Sequence, residues 1–184
     1  MKTILKIFLL TLVVACNLTK KIPENKCICT GKIFKTVFTH KDALNVFYYQ
    51  SDDFTAKAIE EYTIASVRKK YSNQLKLTLI PVKNRYKPNI VDTLYEFSNK
   101  QSIIQFYRAS NADFIQRFDI SDPIFKLAGC VSVGQLKNNI TKQFGIKEKI
   151  GDTITIGNIE HTSAFTFYFK NNRIVRISSY QYLD

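Results

Sequence analysis

The stretch AFTFYFKNNRIVRISSY, residues 164–180, decides the fold. Phenylalanine alternates with polar residues along its first half, at Phe165, Phe167 and Phe169. Because successive side chains of a strand point to opposite faces, this period of two predicts a strand with one apolar face. Asn171-Asn172 suits a tight turn, since asparagine tolerates positive φ, and Arg173 to Tyr180 returns as the partner strand. The stretch therefore predicts an antiparallel β-hairpin.

A helix and a strand are expected just before this hairpin. Ser132 and Gln135 have the spacing of a capping box, and Gly145 is well placed to end the helix. Thr153 to Ile156 then alternates as a short strand. The apolar stripe of the helix recurs at steps of three and four, at Val133, Leu136, Ile140 and Phe144.

The first half of the chain contains the same kinds of element. Short strands rich in Val, Phe and Tyr are predicted at Thr36–Thr39 and Leu44–Tyr49. A helical stretch opened by Asp52 and Asp53 should run in pieces to Tyr71, with Ile64, Val67 and Tyr71 on one face. Further strands are predicted at Leu75–Leu79, ended by Pro81, at Val91–Phe97, Ser102–Tyr107 and Phe114–Ile120. A basic loop with Lys83, Arg85 and Lys87 is expected at Val82–Asn89.

These elements predict an α+β fold of short helices packed on antiparallel sheet. The two halves suggest tandem helix-plus-hairpin repeats, because Val67–Ser72 is similar to Ile140–Gly145 and each is followed by a hairpin. Chance periodicity in a chain rich in Phe and Tyr is the alternative. The expected organisation is a signal segment at 1–15, a tether at 16–35, a first α+β unit at 36–125 and a second unit at 126–184.

The helix ending in Phe-Gly, the loop and the aromatic hairpin with its basic turn resemble the small α+β unit of the SmpA/OmlA and β-lactamase-inhibitor-like families. The resemblance covers Val131 to Ile177. In the first family the domain sits on a lipoprotein of the outer-membrane assembly machinery, and in the second two such units bind a protein partner across a sheet. The resemblance implies this fold and a protein-binding role, and it transfers no inhibitor residues.

The N-terminal segment predicts export. Lys2 and Lys6 accompany an apolar run, Ile4–Ala15, that is shorter than the roughly 20 residues of a spanning helix and matches a secretory signal peptide. A buried core helix is the alternative. Leu12–Cys16 resembles the lipobox of bacterial lipoproteins. That resemblance implies cleavage before Cys16 and its attachment to membrane lipid through acyl chains such as palmitate.

The positive charge of the chain is consistent with a location at a membrane surface. The formal net charge of +12 falls to +10 when residues 1–15 and their two lysines are removed. An exported protein does not meet the nucleoid, so no nucleic-acid partner is expected. The segment 16–35 is predicted to be a flexible basic tether beside anionic headgroups, with a purely solvated tether as the alternative. In some groups of bacterial lipoproteins, acidic residues just after the lipid-bearing cysteine direct the protein to the cell surface. Asn17–Lys21 contains none, so the resemblance implies a protein that faces the periplasm. We expect it at the outer membrane rather than the inner.

The chain has four cysteines. With lipid on Cys16, the remaining three allow at most one disulfide. Cys27 and Cys29 are too close in sequence to pair comfortably, so a bridge from either of them to Cys130 is expected where the compartment permits it. Free thiols and a soft-metal site at the C-x-C pair are the alternatives, and no metal is expected because supporting His or Met ligands are missing.

The sequence contains no recognisable catalytic constellation. His161 lies near a serine and a glutamate, but adjacency in sequence does not make a triad, and no nucleophile elbow or metalloprotease motif occurs. We expect His161 and His40 to be loop or turn residues, and Asp119 and Asp122 to serve turns and caps. The chain is therefore expected to be non-enzymatic and to need no cofactor.

The remaining candidate is a surface on the hairpin. If its phenylalanine face is core, the opposite face carries Thr166, Tyr168, Lys170, Arg176, Ser178 and Tyr180. Tyr and Arg are enriched at binding hot spots, so we expect an envelope protein to bind at Tyr168, Lys170, Arg176 and Tyr180. A solvated or helix-covered face is the alternative. The expected function is a non-catalytic protein-binding or assembly-accessory lipoprotein, and the alternative is a small-ligand-binding or envelope-stress-sensing one.

Overall fold

The computed structural model describes residues 34–84, 86–109 and 112–181. Within these ranges the chain forms a nine-stranded, mostly antiparallel sheet with three short helices, an α+β fold dominated by its sheet. The strands are β1 (Val37–Lys41), β2 (Phe47–Gln50), β3 (Lys76–Lys83), β4 (Val91–Ser98), β5 (Ser102–Ala109), β6 (Ala112–Ile120), β7 (Thr153–Gly157), β8 (Ser163–Lys170) and β9 (Arg173–Gln181). The helices are α1 (Asp52–Lys57), α2 (Ile64–Tyr71) and α3 (Lys137–Gln143), with a 3-10 turn at Ala128–Cys130.

The strands lie in the order β1-β2-β7-β8-β9-β6-β5-β4-β3. β2 and β7 pair in parallel, and the other neighbours pair antiparallel. The sheet has two parts, β1-β2-β7-β8-β9 and β6-β5-β4-β3. They are joined where β6 pairs with β9, with Arg117–Ile120 opposite Ile177–Tyr180. Since β2 precedes residue 125 and pairs with β7, strands from both predicted units contribute to one sheet. The boundary between 36–125 and 126–184 stays a prediction.

The core lies between one face of this sheet and the helices. α1 contributes Phe54, α2 contributes Val67 and α3 contributes Ile140, and none of these is more than 1% exposed. Phe54 packs edge-on against Phe165 of β8, with ring centroids 5.4 Å apart. Burying a side chain of this size stabilises by roughly 1.5–3 kcal/mol relative to leaving it exposed. The helices and the sheet therefore depend on one shared cluster.

The hairpin predicted at residues 164–180 is confirmed as β8 and β9. Phe165, Phe167 and Phe169 are buried, and the residues between them are partly exposed. Asn171 and Asn172 form the turn with φ values of 50° and 59°, which asparagine adopts more readily than most residues. The hairpin thus gives one face to the core and leaves its other face at the surface.

The predicted apolar face of the helical stretch before β3 is also confirmed. The hydroxyl of Thr63 accepts the N–H of Ser66, and the Ser66 hydroxyl accepts the N–H of Thr63, which forms a capping box. Asp113 of β6 accepts the N–H of Ile64 at 3.0 Å, so the sheet also binds the helix terminus. The buried residues of α2 are Ile64, Val67 and Tyr71.

The strand expected to end at Pro81 continues to Lys83, so that prediction was wrong. Pro81 lies opposite Thr93 of β4 in the outermost strand of the sheet. Proline has no N–H, but an edge strand can hold it because one side of that strand has no neighbour to receive the bond. Leu79 is 56% exposed on this edge.

The Ser132–Gln135 capping box does not start a helix, and α3 begins only at Lys137. Gly134 has a φ of 89°, and Leu136 forms a bridge to Arg173, so the chain first runs beside β9. Leu136 is consequently 41% exposed. The rest of the predicted helix is confirmed by the buried Ile140 and Phe144 and by Gly145, whose φ is 61°.

The packed body begins inside the segment predicted to be a tether. Phe34 is fully buried against Phe54 and Phe144, and its N–H donates to the carbonyl of Gln143 at 2.7 Å. A tether can therefore extend no further than residue 33. Residues 1–33 lie outside the described residues, and with them the predicted signal segment, Cys16, Cys27 and Cys29.

Candidate functional site

The sheet face opposite the helices carries the candidate site. The register places Asp119 opposite Ser178, Ser178 opposite Thr166, and Thr166 opposite Thr155, in one row across four strands. The buried residues of the three described helices belong to the core on the other side of the sheet. Within the described ranges this surface is therefore not covered by a helix. We call it the open face and define it by Arg117, Asp119, Thr155, Thr166, Tyr168, Arg176 and Ser178.

Four residues of the open face form an arginine–aspartate cluster: Arg117, Asp119, Tyr168 and Arg176. Arg176 of β9 donates to both carboxylate oxygens of Asp119 in β6, from Nε to Oδ1 and from Nη2 to Oδ2, each at 2.7 Å. Nη2 of Arg117 donates to Oδ2 of the same carboxylate at 3.1 Å. The guanidinium carbon of Arg176 also lies 5.1 Å from the centroid of the Tyr168 ring. A carboxylate and an aromatic ring therefore hold Arg176 in place.

The cluster shares one carboxylate between two arginines. Hydrogen bonds from Arg176, together with those from Arg117, hold the pKa of Asp119 below its ordinary value although partial burial opposes this. The side chains of Arg176 and Arg117 are 46% and 52% exposed, whereas that of Asp119 is 16% exposed. The cluster therefore presents one net positive charge to solvent, which suits a partner that brings a hydrogen-bond acceptor.

The structure brings together two of the four predicted binding residues, Tyr168 and Arg176. Lys170 lies apart from them, exposed at the end of β8 and opposite Arg173. Only the backbone of Tyr180 is described, and it pairs with both β8 and β6.

The sequence-based prediction missed Arg117 and assigned Asp119 to a turn. Asp119 instead lies inside β6, where it binds two arginines. The alternation around it contained the signal, because buried Phe118 and Ile120 place their neighbours on the opposite face. Asp122 has the expected turn role, since its Oδ1 accepts a backbone N–H two residues later at 3.0 Å.

A second candidate site is an open cleft of about 710 Å³ on the helix side of the sheet. It lies between α1, the start of β6 and the loop before β8, where β6 and β9 no longer pair. Its lining includes Phe114 and Ile159, which are 42% and 64% exposed. Among the described lining residues there is no lysine, arginine or histidine. The carboxylates that line the cleft are Asp52, Glu60, Asp113 and Glu160.

The other residues considered for chemistry lie away from the open face. His161 is an exposed loop residue with a φ of 56°, as expected. His40 lies in β1 and stacks on Tyr48 with ring centroids 4.2 Å apart, so its assignment to a turn was wrong. Cys130 is buried and disulfide-bonded. Its partner lies outside the described residues, so the choice between Cys27 and Cys29 stays a prediction.

The part of the chain that the structure describes has no group of three or more His, Cys, Asp or Glu residues placed to hold a metal. In the same part, none of the helices is long and apolar enough to cross a membrane. No family model matches the chain, and neither a curated protein nor a solved structure matches it. The resemblance to the SmpA/OmlA and β-lactamase-inhibitor-like units therefore stays an expectation.

Proposed function

We propose that the chain is a lipid-anchored lipoprotein of the cell envelope, facing the periplasm, that binds a protein partner through the open face. The observation that carries this proposal is the arginine–aspartate cluster on a sheet face without a helix over it. The lipobox-like segment ending at Cys16 supports the anchor. The role is non-catalytic: the protein holds or helps to assemble its partner.

The cluster has the properties of a preorganised binding surface. Arginine and tyrosine are enriched among residues that dominate binding energy. Holding a long side chain before the partner arrives lowers the entropy lost on binding, and Asp119 and Tyr168 hold Arg176 in this way. An antiparallel sheet can be stable with one face packed and the other accessible. A partner with a carboxylate beside an apolar group would complement this surface.

The proposed fold relationship is a tandem repeat of helix plus antiparallel strands. α2 precedes β3, β4 and β5, and α3 precedes β7, β8 and β9. Each set is antiparallel within itself, and the two sets meet in one sheet. The same order of elements, a helix followed by three antiparallel strands, thus occurs twice, which supports a duplication. The sequence identity between the two halves is low. A repeat of this kind would build a sheet wide enough for a protein partner.

Cross-linking of the lipidated protein in its native envelope, followed by mass spectrometry, tests the proposed function. A partner should be captured reproducibly and be lost from the double variant Tyr168→Ala, Arg176→Ala. Arg173→Ala is the matched control, because it removes an exposed arginine of the same strand that binds the carbonyl of Gly134 and not the cluster. Thermal unfolding of each variant checks that the fold persists. Capture that survives the double variant contradicts the proposal.

A second candidate function, small-ligand binding with a sensing role, is favoured by the cleft. Its volume lies within the roughly 300–1,000 Å³ of ordinary ligand sites. The carboxylates of Glu60 and Glu160, together with the exposed Ile159, suit an organic cation with an apolar body. Titration with phenethylamine, and with phenethyl alcohol as the uncharged control, should shift resonances of cleft residues for the amine alone. Equal binding of both compounds contradicts this candidate.

A further inference from the structure

The tip of the hairpin formed by β3 and β4 exposes large apolar side chains at one end of the sheet. Tyr86 is 69% exposed, Ile90 is 44% exposed and Val91 is 65% exposed. Isolated exposed hydrophobic residues are ordinary, but a contiguous group of them marks an interaction site. Tyr86 and Ile90 lie in the short connection between β3 and β4, and Val91 is the first residue of β4, at the edge of the sheet.

The backbone of this tip is held in a defined shape. Oδ1 of Asn84 accepts the N–H of Tyr86 at 2.9 Å and that of Lys87 at 2.8 Å. The N–H of Asn84 donates to the carbonyl of Ile90 at 3.0 Å, and the N–H of Ile90 donates to the carbonyl of Lys87 at 2.8 Å. These hydrogen bonds fix the backbone positions of Tyr86 and Ile90, which present two of the apolar side chains.

Lysines flank the apolar residues of the tip. Lys83 is exposed and lies directly opposite Val91 in the register, and Lys87 is exposed in the loop. The nearby carboxylate of Asp92 is occupied, because it accepts hydrogen bonds from Nδ2 of Asn84 at 2.7 Å and from the hydroxyl of Tyr107. Asp92 keeps its negative charge when it accepts these bonds, but it is one carboxylate against the two ammonium groups of Lys83 and Lys87. The tip therefore combines exposed apolar groups with a net positive charge.

We propose that this tip inserts into a membrane surface that carries anionic headgroups. Tyrosine favours the membrane–water interface because it has an apolar ring and a polar hydroxyl. Basic residues beside it are attracted to anionic lipid within about one Debye length. The inference rests on the lipid anchor of the proposed function, which keeps the chain close to a bilayer. It does not rest on the open face.

The position of the tip gives this contact a role in orientation. β3 is one edge of the sheet and β1 is the other, and strands lie about 4.8 Å apart, so the path across the sheet from one edge to the other is roughly 38 Å. The chain enters the described body at Phe34, which packs against Phe54 of α1, and Phe54 in turn contacts Phe165 of β8, five strands away from β3. A membrane contact at the far edge therefore fixes how the whole sheet, and with it the open face, is turned relative to the bilayer.

The chain contains no tryptophan, so the fluorescence of one introduced tryptophan reports on its position alone and can test the contact. The full lipidated protein with Tyr86→Trp is reconstituted into phosphatidylcholine vesicles, with or without phosphatidylglycerol, that contain brominated lipid. We expect a blue-shifted emission and at least about twofold quenching in the anionic vesicles. The charge-reversed variant Lys83→Glu, Lys87→Glu, carrying the same tryptophan, should lose this quenching.

Leu44→Trp is the matched control, since Leu44 is 83% exposed and lies in the turn between β1 and β2 at the opposite side of the sheet. Its emission should remain unquenched. A Tyr86→Trp chain that floats with the vesicles but keeps an unquenched emission overturns the inference and leaves the anchor standing. Equal quenching at both positions also overturns it. A chain that does not float with the vesicles overturns both the inference and the anchor.

Discussion

Replacement of Asp119 by asparagine should destabilise the fold because it removes a charged side-chain pair that reinforces the backbone pairing of β6 with β9. Asp119 lies in β6 and its main partner, Arg176, lies in β9. A hydrogen bond to a charged group contributes about 1.5–3 kcal/mol net when it is shielded, while an exposed ion pair contributes about 0–1 kcal/mol. Asp119 is 16% exposed and Arg176 is 46% exposed. We therefore expect a loss of about 1–2 kcal/mol in the free energy of unfolding near neutral pH.

The same variant should change how stability depends on pH. Arg176 holds the pKa of Asp119 below its ordinary value in the folded state, so the carboxylate stabilises the fold above the unfolded pKa of about 3.9. This contribution is lost as the pH falls through the folded pKa. The stability difference between the native chain and Asp119→Asn should therefore shrink towards zero in acid.

Urea unfolding followed by circular dichroism, near neutral pH and again below about pH 3, measures both effects. Asp152→Asn is the control, because Asp152 is 86% exposed and binds Lys137 at 3.1 Å. Because Asp152 itself is exposed and Lys137 keeps its hydrogen bond to the carbonyl of Gly151 at 2.9 Å, this variant should lose about 0.5 kcal/mol or less. If Asp119→Asn is as stable as the native chain, or if its deficit is the same at both pH values, the reasoning is refuted.

Three further predictions concern the core, a buried tyrosine and the disulfide. Phe54→Ala should lower the free energy of unfolding by about 3–5 kcal/mol because it leaves a cavity between α1 and β8. Leu44→Ala, at an 83% exposed position, should change it by no more than about 0.5 kcal/mol, and similar losses for both would be contradictory. Burial, together with Glu148, raises the pKa of Tyr49 to about 12. Tyr49→Phe should therefore remove an absorbance step at the alkaline end of an ultraviolet titration, and an unchanged curve would contradict this. Cys130→Ser should cost about 2–4 kcal/mol. A non-reduced peptide map should link Cys130 to Cys27 or Cys29, and a free Cys130 thiol would disprove the bridge.

Local patterns in the sequence predicted the strands and turns well. The alternation of Phe165, Phe167 and Phe169 was sufficient to place a strand and its buried face. The asparagine pair located the turn, because few residues adopt positive φ without strain. These features depend on neighbours in sequence, and such signals can be recognised without knowing the rest of the fold.

The errors occurred where a distant contact decides the local structure. Pro81 continues a strand because that strand lies at an edge of the sheet. Residues after Ser132 run beside β9 instead of forming a helix, since Leu136 meets Arg173 there. The pairing of Asp119 with Arg176 requires β6 to lie next to β9, although β7 and β8 intervene in the chain. The conformational propensities of neighbouring residues do not predict pairings between residues that are far apart in sequence.

Site-specific photocross-linking from the open face is the most direct test of the central claim, that this face binds a protein. A photoreactive residue is placed at Thr166, in the middle of the open face, and separately at Lys69, exposed on α2 on the helix side of the sheet. Irradiation of the native envelope should give a discrete adduct from position 166 that disappears when Arg176 is replaced, and none from position 69. An adduct from position 69 alone, or none from position 166 while the protein remains anchored, would contradict the account.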